Sequence, residues 1–561
     1  MGRMIGIGLA VAALGMAAPA VAGDSDDFSG CDGRMKPKSK DDGMRGEASL
    51  SGYSYLLGSI GTGTFGRIDA CNRALANPKL LPTQTLRRAH LLRARAAAFL
   101  EQGKTADALA DLDAAESAVA DRAQDPLHRR SMGASLMLLR AIAKSRSGED
   151  AEAARLAQEA QALRPYAVQV QIAAAIIRQT ARPVGQASDS PWGDLVRIEP
   201  AARAMGLSRE AEIGNFAGVV AMGRASPVVW PDQPPASLTI SPSAGPLGEF
   251  AAAMTATLHL AYAQAATGDV AAAKDALAVV RTKLASLSAP LATPAAVAPA
   301  ATESPTSAPK DSPLKAIMAN AAEPSIRLAE ARIALAEGRV GDARKFATTG
   351  PLPLNAEAFE LRGRLRELPD SVPGPDLADE GLAKLAADRR RALGPLAATV
   401  LFAPETQRTL IDYQKSRPNI LGALIGASLS MGTTLLSGIE RTSGFRSAPN
   451  PDGTVKVEYV GNTTSGPMVQ EMTLLRAAEL ARAANKPSFE IVERKDYSRF
   501  LVTSQYGVET SRTPTGYKTE LTVRFLDAPG SAGAALDAVA VIDALGPFYY
   551  QNRDEAGAKP S

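Results

Sequence analysis

Residues 92–115 read LRARAAAFLEQGKTADALADLDAA, and this stretch sets the architecture. Two apolar-periodic segments flank Gly103, and each is long enough for three to four helical turns. A glycine between them supplies the positive φ that ends one helix and allows the chain to reverse. Around it Ala96 and Phe99 precede the turn, while Ala108, Leu112 and Ala115 follow. Small residues on both sides of a turn let two antiparallel helices approach closely. The stretch therefore predicts a helical hairpin.

The same offsets recur along the chain. Around Gly148 they give Ala141, Ala153, Ala157, Ala160 and a closing Pro165, with Lys144 where a large apolar residue is expected. Around Gly268 they give Ala261, Ala273, Leu277 and Val280, and around Gly338 Ala331, Ala334, Ala343 and Ala347. An eroded copy spans Met205 to Arg224, with Gly214 at its turn. This spacing resembles the tetratricopeptide repeat over about residues 68–350. The resemblance implies that the first helix of each pair lines a concave face. His90, Arg93, Ala97, Leu100 and Glu101 of the first copy, and Leu138, Ile142 and Arg146 of the second, would line it. Such a face suits an extended or helical peptide with apolar anchors and some negative charge. Arg93 and Ala97 stand where chaperone-binding relatives carry a carboxylate clamp, so that clamp is not implied.

At 561 residues the chain exceeds one core and suggests three or four folding units. Aromatics make up only 5%, and 62 basic against 59 acidic side chains leave a net charge of +3. Arg389, Arg390 and Arg391 stand isolated on a helical face, so no nucleic-acid partner is indicated.

Residues 1–22 have the layout of a secretory signal peptide: Arg3, an apolar run from Ile5 to Met16, and small residues at Ala20 and Ala22. The expectation is a periplasmic protein with a leader at 23–50. Its cysteines, Cys31 and Cys71, would be bridged in an oxidising compartment, or Cys71 would simply pack as a small apolar residue.

A Gly-x-Gly-x-x-Gly loop at Gly61, Gly63 and Gly66 raises nucleotide binding. The acidic residue a dinucleotide fold needs about twenty positions on is missing. Lys79 lies in a turn rather than a kinase strand. The loop therefore reads as a flexible turn, and no cofactor is expected.

Helical repeats are expected over 51–226, a Pro-rich loop over 227–250, a degenerate repeat over 251–288, an Ala/Pro linker over 289–313, and further helices over 314–416. Residues 417–442 are a moderately apolar segment; Asn419 to Ile439 carry no charge, a length that would span a membrane, although a packed segment is the preferred reading. From 443 to 561 the period changes. Val455, Val457 and Tyr459 alternate with charges, Pro467 to Asn485 reads as a helix, and Phe489, Ile491 and Tyr517 to Phe525 mark strands. Ala535 to Leu545 reads as a closing helix. Residues 443–495 are similar to a small domain of exported bacterial lipoproteins of unknown function. The expected fold is thus mainly α, a tetratricopeptide-like array followed by a small α+β domain.

Little catalytic material is visible. The three histidines, His90, His128 and His259, have no metal-ligand spacing. Asp111 and Asp113 point to different helix faces, and Glu479 and Glu490 have nothing to bring them together. The expectation is a binding scaffold with a protein or peptide partner and no enzymatic activity. The alternatives are an envelope protein attached through 419–439, or an enzyme whose site converges only in the C-terminal domain.

Overall fold

The computed structural model describes residues 24–34, 36–38, 43–44, 67–185, 189–225, 227–231, 246–287, 313–350, 352–368, 377–405, 444–461, 465–505, 508–528 and 534–550. The signal-peptide region, the glycine loop before Arg67, the Ala/Pro linker up to residue 312 and the uncharged segment lie outside the described residues.

The chain is mainly helical, with a small antiparallel sheet near its C-terminal end. Helix α1 (Asp24–Asp32) packs on α2 (Ile68–Ala76) and α3 (Thr85–Glu101). Five helical hairpins follow: α3 with α4 (Thr105–Ala118), α6 (Ala134–Arg146) with α7 (Asp150–Leu163), α10 (Ala202–Glu212) with α11 (Phe216–Ala225), α12 (Pro246–Ala266) with α13 (Val270–Ser286), and α14 (Pro313–Ala336) with α15 (Val340–Thr348). Short α5 (Pro126–His128) runs through a π-type turn into α6. Between the second and third hairpins lie α8 (Val168–Thr180) and α9 (Gly193–Ile198), and after the fifth come α16 (Ala356–Arg366) and α17 (Leu377–Thr399).

The hairpin turns share one chemistry. Gly103, Gly148, Gly214, Gly268 and Gly338 have φ of 80°, 82°, 72°, 93° and 77°. In each, the residue after the glycine donates its N–H to a carbonyl five positions back, as Lys104 does to Phe99 (2.8 Å) and Glu149 to Lys144 (2.9 Å). This Schellman arrangement satisfies carbonyls that a helix end would otherwise leave open, and glycine enters it without a Cβ penalty. The alanines flanking the turns close the hairpins. Ala96, Ala108, Ala115, Ala141, Ala153, Ala157, Ala261, Ala273, Ala331 and Ala343 are all completely buried.

The sheet has the order β1-β2-β4-β3-β5, with β1 (Gly444–Pro449), β2 (Val455–Gly461), β3 (Ser488–Gln505), β4 (Val508–Leu526) and β5 (Ala535–Asp537). Helix α18 (Gly466–Ala483) covers one face, and α19 (Ala538–Tyr549) packs beside it. The closing helix expected from Ala535 begins three residues later. Residues 535–537 pair with β3, and the Asp537 side chain accepts from the Ala540 N–H (2.8 Å) as the helix cap. The alternation at 455–459 departs from the expected half-buried strand, because Glu458 is buried as well. Its carboxylate meets Arg446 (3.1 Å) and Lys518 (3.2 Å).

The sheet layer does not have a core of its own. Val168, Ile172, Trp192, Leu195 and Ile198 of the helical region join Met468, Met472, Leu475, Tyr459 and Leu545 in one apolar cluster. Helical and α+β regions are therefore fused through shared burial.

Candidate functional site

Helices α3 and α6 lie side by side and bring most of the expected groove residues to one face. That face is covered. Helix α17 returns across α3, α6 and α8, and the chain continues without helix or strand to Glu405. His90, Arg93, Ala97, Leu100, Leu138 and Ile142 are buried, Arg146 is half-buried, and Glu101 is exposed. The residues expected to line a partner groove are covered in this structure by residues 389–405 of the same chain. Apolar side chains on both sides have merged, since Leu393, Ala397, Val400 and Phe402 share a cluster with Ala97, Leu100, Leu138 and Ile142.

This covering segment is held the way a bound peptide is held. Arg93 donates to the carbonyl of Phe402 (2.5 Å), Arg146 to that of Arg391 (2.9 Å), and the Ser135 hydroxyl to that of Val400. In return Arg389 donates to the carbonyls of Gln179 (3.0 Å) and Thr180 (2.9 Å), which caps the end of α8, and Arg390 pairs with Asp150. Apolar anchors sit between these backbone contacts, and the carboxylate of Glu405 follows them.

That carboxylate, Glu405, enters a buried ionic network. Arg164 Nη2 donates to Glu405 Oε1 (2.7 Å), its Nε to Glu471 Oε1 (2.8 Å), and Arg130 Nε lies 3.0 Å from Glu405 Oε2. Arg130 also pairs with Glu471, and the Tyr549 hydroxyl donates to Glu471 Oε2 (2.6 Å). The Arg130 guanidinium stacks over Phe548, 4.2 Å from the ring centroid. Burial works against both charge types, yet the flanking guanidiniums outweigh it and hold Glu471 down to about 2. The same carboxylates raise Arg164 and Arg130 above the ordinary arginine value. Two cations and two anions from α5–α7, the covering segment and α18 thus meet with balanced charge.

Sequence reasoning missed this network. A signal was present in α18, where Glu471 falls on the apolar register of Met468, Met472, Leu475 and Ala478. Arg130, Arg164, Glu405 and Tyr549 carry no comparable local mark.

A second polar cluster lies at the other end of the groove. Cys31 and Cys71 are bonded, which fixes α1 against α2. Neighbouring Asp32 accepts from Arg87 (3.0 Å) and lies 3.6 Å from His90 Nε2. His90 Nδ1 is 2.6 Å from Arg93. Desolvation first, then the charge of Arg93, pushes His90 well below its ordinary pKa, so it is neutral. Desolvation, aided by the charge of Arg34, lowers Arg93 to about 9. Arg93 therefore serves as a buried donor in the groove wall.

Other candidates separate. Asp111 pairs with Arg95 and Asp113 with Arg140. Glu479 accepts from Tyr550 and Glu490 pairs with Arg524. His259 bonds Glu357 (2.8 Å) on α16 and is raised by that carboxylate against desolvation. Among the described residues no cluster of three or more His, Cys, Asp or Glu is arranged to hold a metal ion, and no helix is long and apolar enough to cross a membrane.

No protein-family model, no curated protein and no solved structure matches this chain.

Proposed function

We propose that the chain is an exported, tetratricopeptide-like scaffold that acts in the bacterial envelope by holding protein or peptide segments, without catalysis of its own. The observation that carries this reading is the chemistry of the groove. Arg93, Ser135 and Arg146 donate to main-chain carbonyls of the covering segment, apolar residues take its side chains, and Arg130 and Arg164 take its carboxylate. These are the elements of peptide recognition: backbone contacts for affinity, and anchors for specificity. The bonded Cys31–Cys71 pair supports an oxidising compartment. The groove's present occupant is a helix followed by a short irregular stretch that carries the buried carboxylate of Glu405, and a partner segment of that kind is the class proposed.

The test uses a labelled peptide of residues 388–405 and the full chain carrying Val400→Ser with Phe402→Ser. Weakening the internal segment should let the peptide bind saturably, as read by fluorescence anisotropy. The wild type should bind it at least tenfold more weakly, because the tethered copy competes at high effective concentration. Adding Arg93→Gln should reduce binding to the variant. Absence of saturable binding by the folded variant would reduce the groove to ordinary core.

A further inference from the structure

Helix α9 meets the sheet through an acidic contact that neither the groove nor the buried network uses. Glu199, the residue that ends α9, directs its carboxylate at Arg494 of β3, 3.5 Å from Nε. That guanidinium already binds Asp496 Oδ2 (2.8 Å) and also donates to the carbonyl of Ile198 (3.0 Å), which caps α9. Asp496 is fixed by the Thr519 hydroxyl on β4 (2.6 Å) and by Gln470 on α18 (3.0 Å). Two carboxylates from opposite sides of one interface thus converge on a guanidinium.

The two acids are not equivalent. Asp496 accepts three hydrogen bonds, from Arg494, Thr519 and Gln470, whereas Glu199 accepts one weaker bond from the Ala201 N–H (3.3 Å). The other charges of this corner are engaged elsewhere: Arg197 pairs with Asp194 on α9 itself, and Arg203 of α10 donates to the carbonyl of Pro227 (3.0 Å). When protons are available, Glu199 is therefore the acid to take one.

We propose that this corner is an acid-tightened clasp, in which protonation of Glu199 relieves the cost of holding a second, poorly hydrogen-bonded carboxylate at the interface beside Asp496 and strengthens docking of the helical region on the sheet. Desolvation, opposed by the Arg494 charge and aided to a smaller extent by Asp496, pushes the Glu199 carboxyl up to about 7. The sign follows. A carboxyl raised in the docked state binds a proton that the released state gives up between its ordinary value and about 7. Docking is therefore strongest in acid, weakens as pH rises through that window, and is constant above it.

Hydrogen–deuterium exchange of the full chain, corrected for the intrinsic pH dependence, tests this. Peptides from α9 and residues 491–497 are compared with α4 as an internal reference. In the wild type, local opening should rise by close to tenfold per pH unit between about 5 and 6.5, then level off. Glu199→Gln should be flat at the acid level. Asp496→Asn should shift the rise to lower pH, which covers the case in which the first variant fails to fold. A wild type without the rise, or either variant retaining the wild-type profile, would overturn the proposal.

Discussion

Replacing Glu471 with glutamine keeps the shape of the buried network and removes one charge. Glu405 would then face Arg130 and Arg164 alone, at a site where all four side chains are nearly solvent-free. Breaking one partner out of a buried ion pair typically costs about 3–5 kcal/mol, because the remaining charge stays desolvated. Linkage has the same sign, because the flanking guanidiniums outweigh burial and hold the carboxyl well below its ordinary value on folding. The assay is urea unfolding followed by tryptophan fluorescence, since Trp192 is fully buried in the core shared with α18. The variant should lose about 3 kcal/mol at pH 7, while Glu152→Gln, which touches only exposed Arg155, should change stability by less than about 0.5 kcal/mol. Because the Glu471 pKa is depressed on folding, its contribution is complete above about 4.5 and fades as pH falls towards 2. The gap between wild type and variant should therefore narrow in acid. A loss below about 1 kcal/mol at pH 7, or a gap unchanged down to pH 3, would refute the reasoning.

Two further outcomes follow from local geometry. Replacing Cys31 and Cys71 together by serine opens a covalent link across a sequence separation of 40. Loop-closure entropy puts the loss at about 4 kcal/mol at most, to be read from thermal melts with and without reductant. Gly148→Ala should cost about 1–2 kcal/mol, because φ is 82° and no neighbour lies within 4 Å to add a clash. Gly363→Ala, equally open but inside α16, should instead stabilise by about 0.5–1 kcal/mol. Equal signs for these two glycines in denaturant titrations would contradict the turn geometry.

The hairpins were legible in the sequence because their determinants are local. A Schellman turn needs its glycine at one position, and close helices need alanine at fixed distances from it, so five turns could be located from spacing alone. The covering segment was not legible for the opposite reason. Residues 389–405 read simply as part of the helices expected to 416, whereas the helix ends at Thr399, and their destination on α3 and α6 lies more than two hundred positions away. Arg93 illustrates the consequence. Its register placed it in the lining of a partner groove, whereas the carbonyl of Phe402 makes it a buried donor to its own chain. The boundary at 443 was legible for a local reason only. Period changes mark where strands begin, but they do not report that Trp192, Leu195 and Ile198 contribute to the core beneath α18. Glu471 lies between these extremes. A glutamate in the apolar stripe of α18 demands a buried counter-charge, so its importance was readable, but its partners were not. They come from three chain segments, and only folding brings them together. The covering segment and the C-terminal layer share those partners through Glu405 and Glu471. Loosening one should therefore leave Arg130 and Arg164 under-compensated and weaken the other. The groove and the C-terminal domain should respond as one unit when either is perturbed.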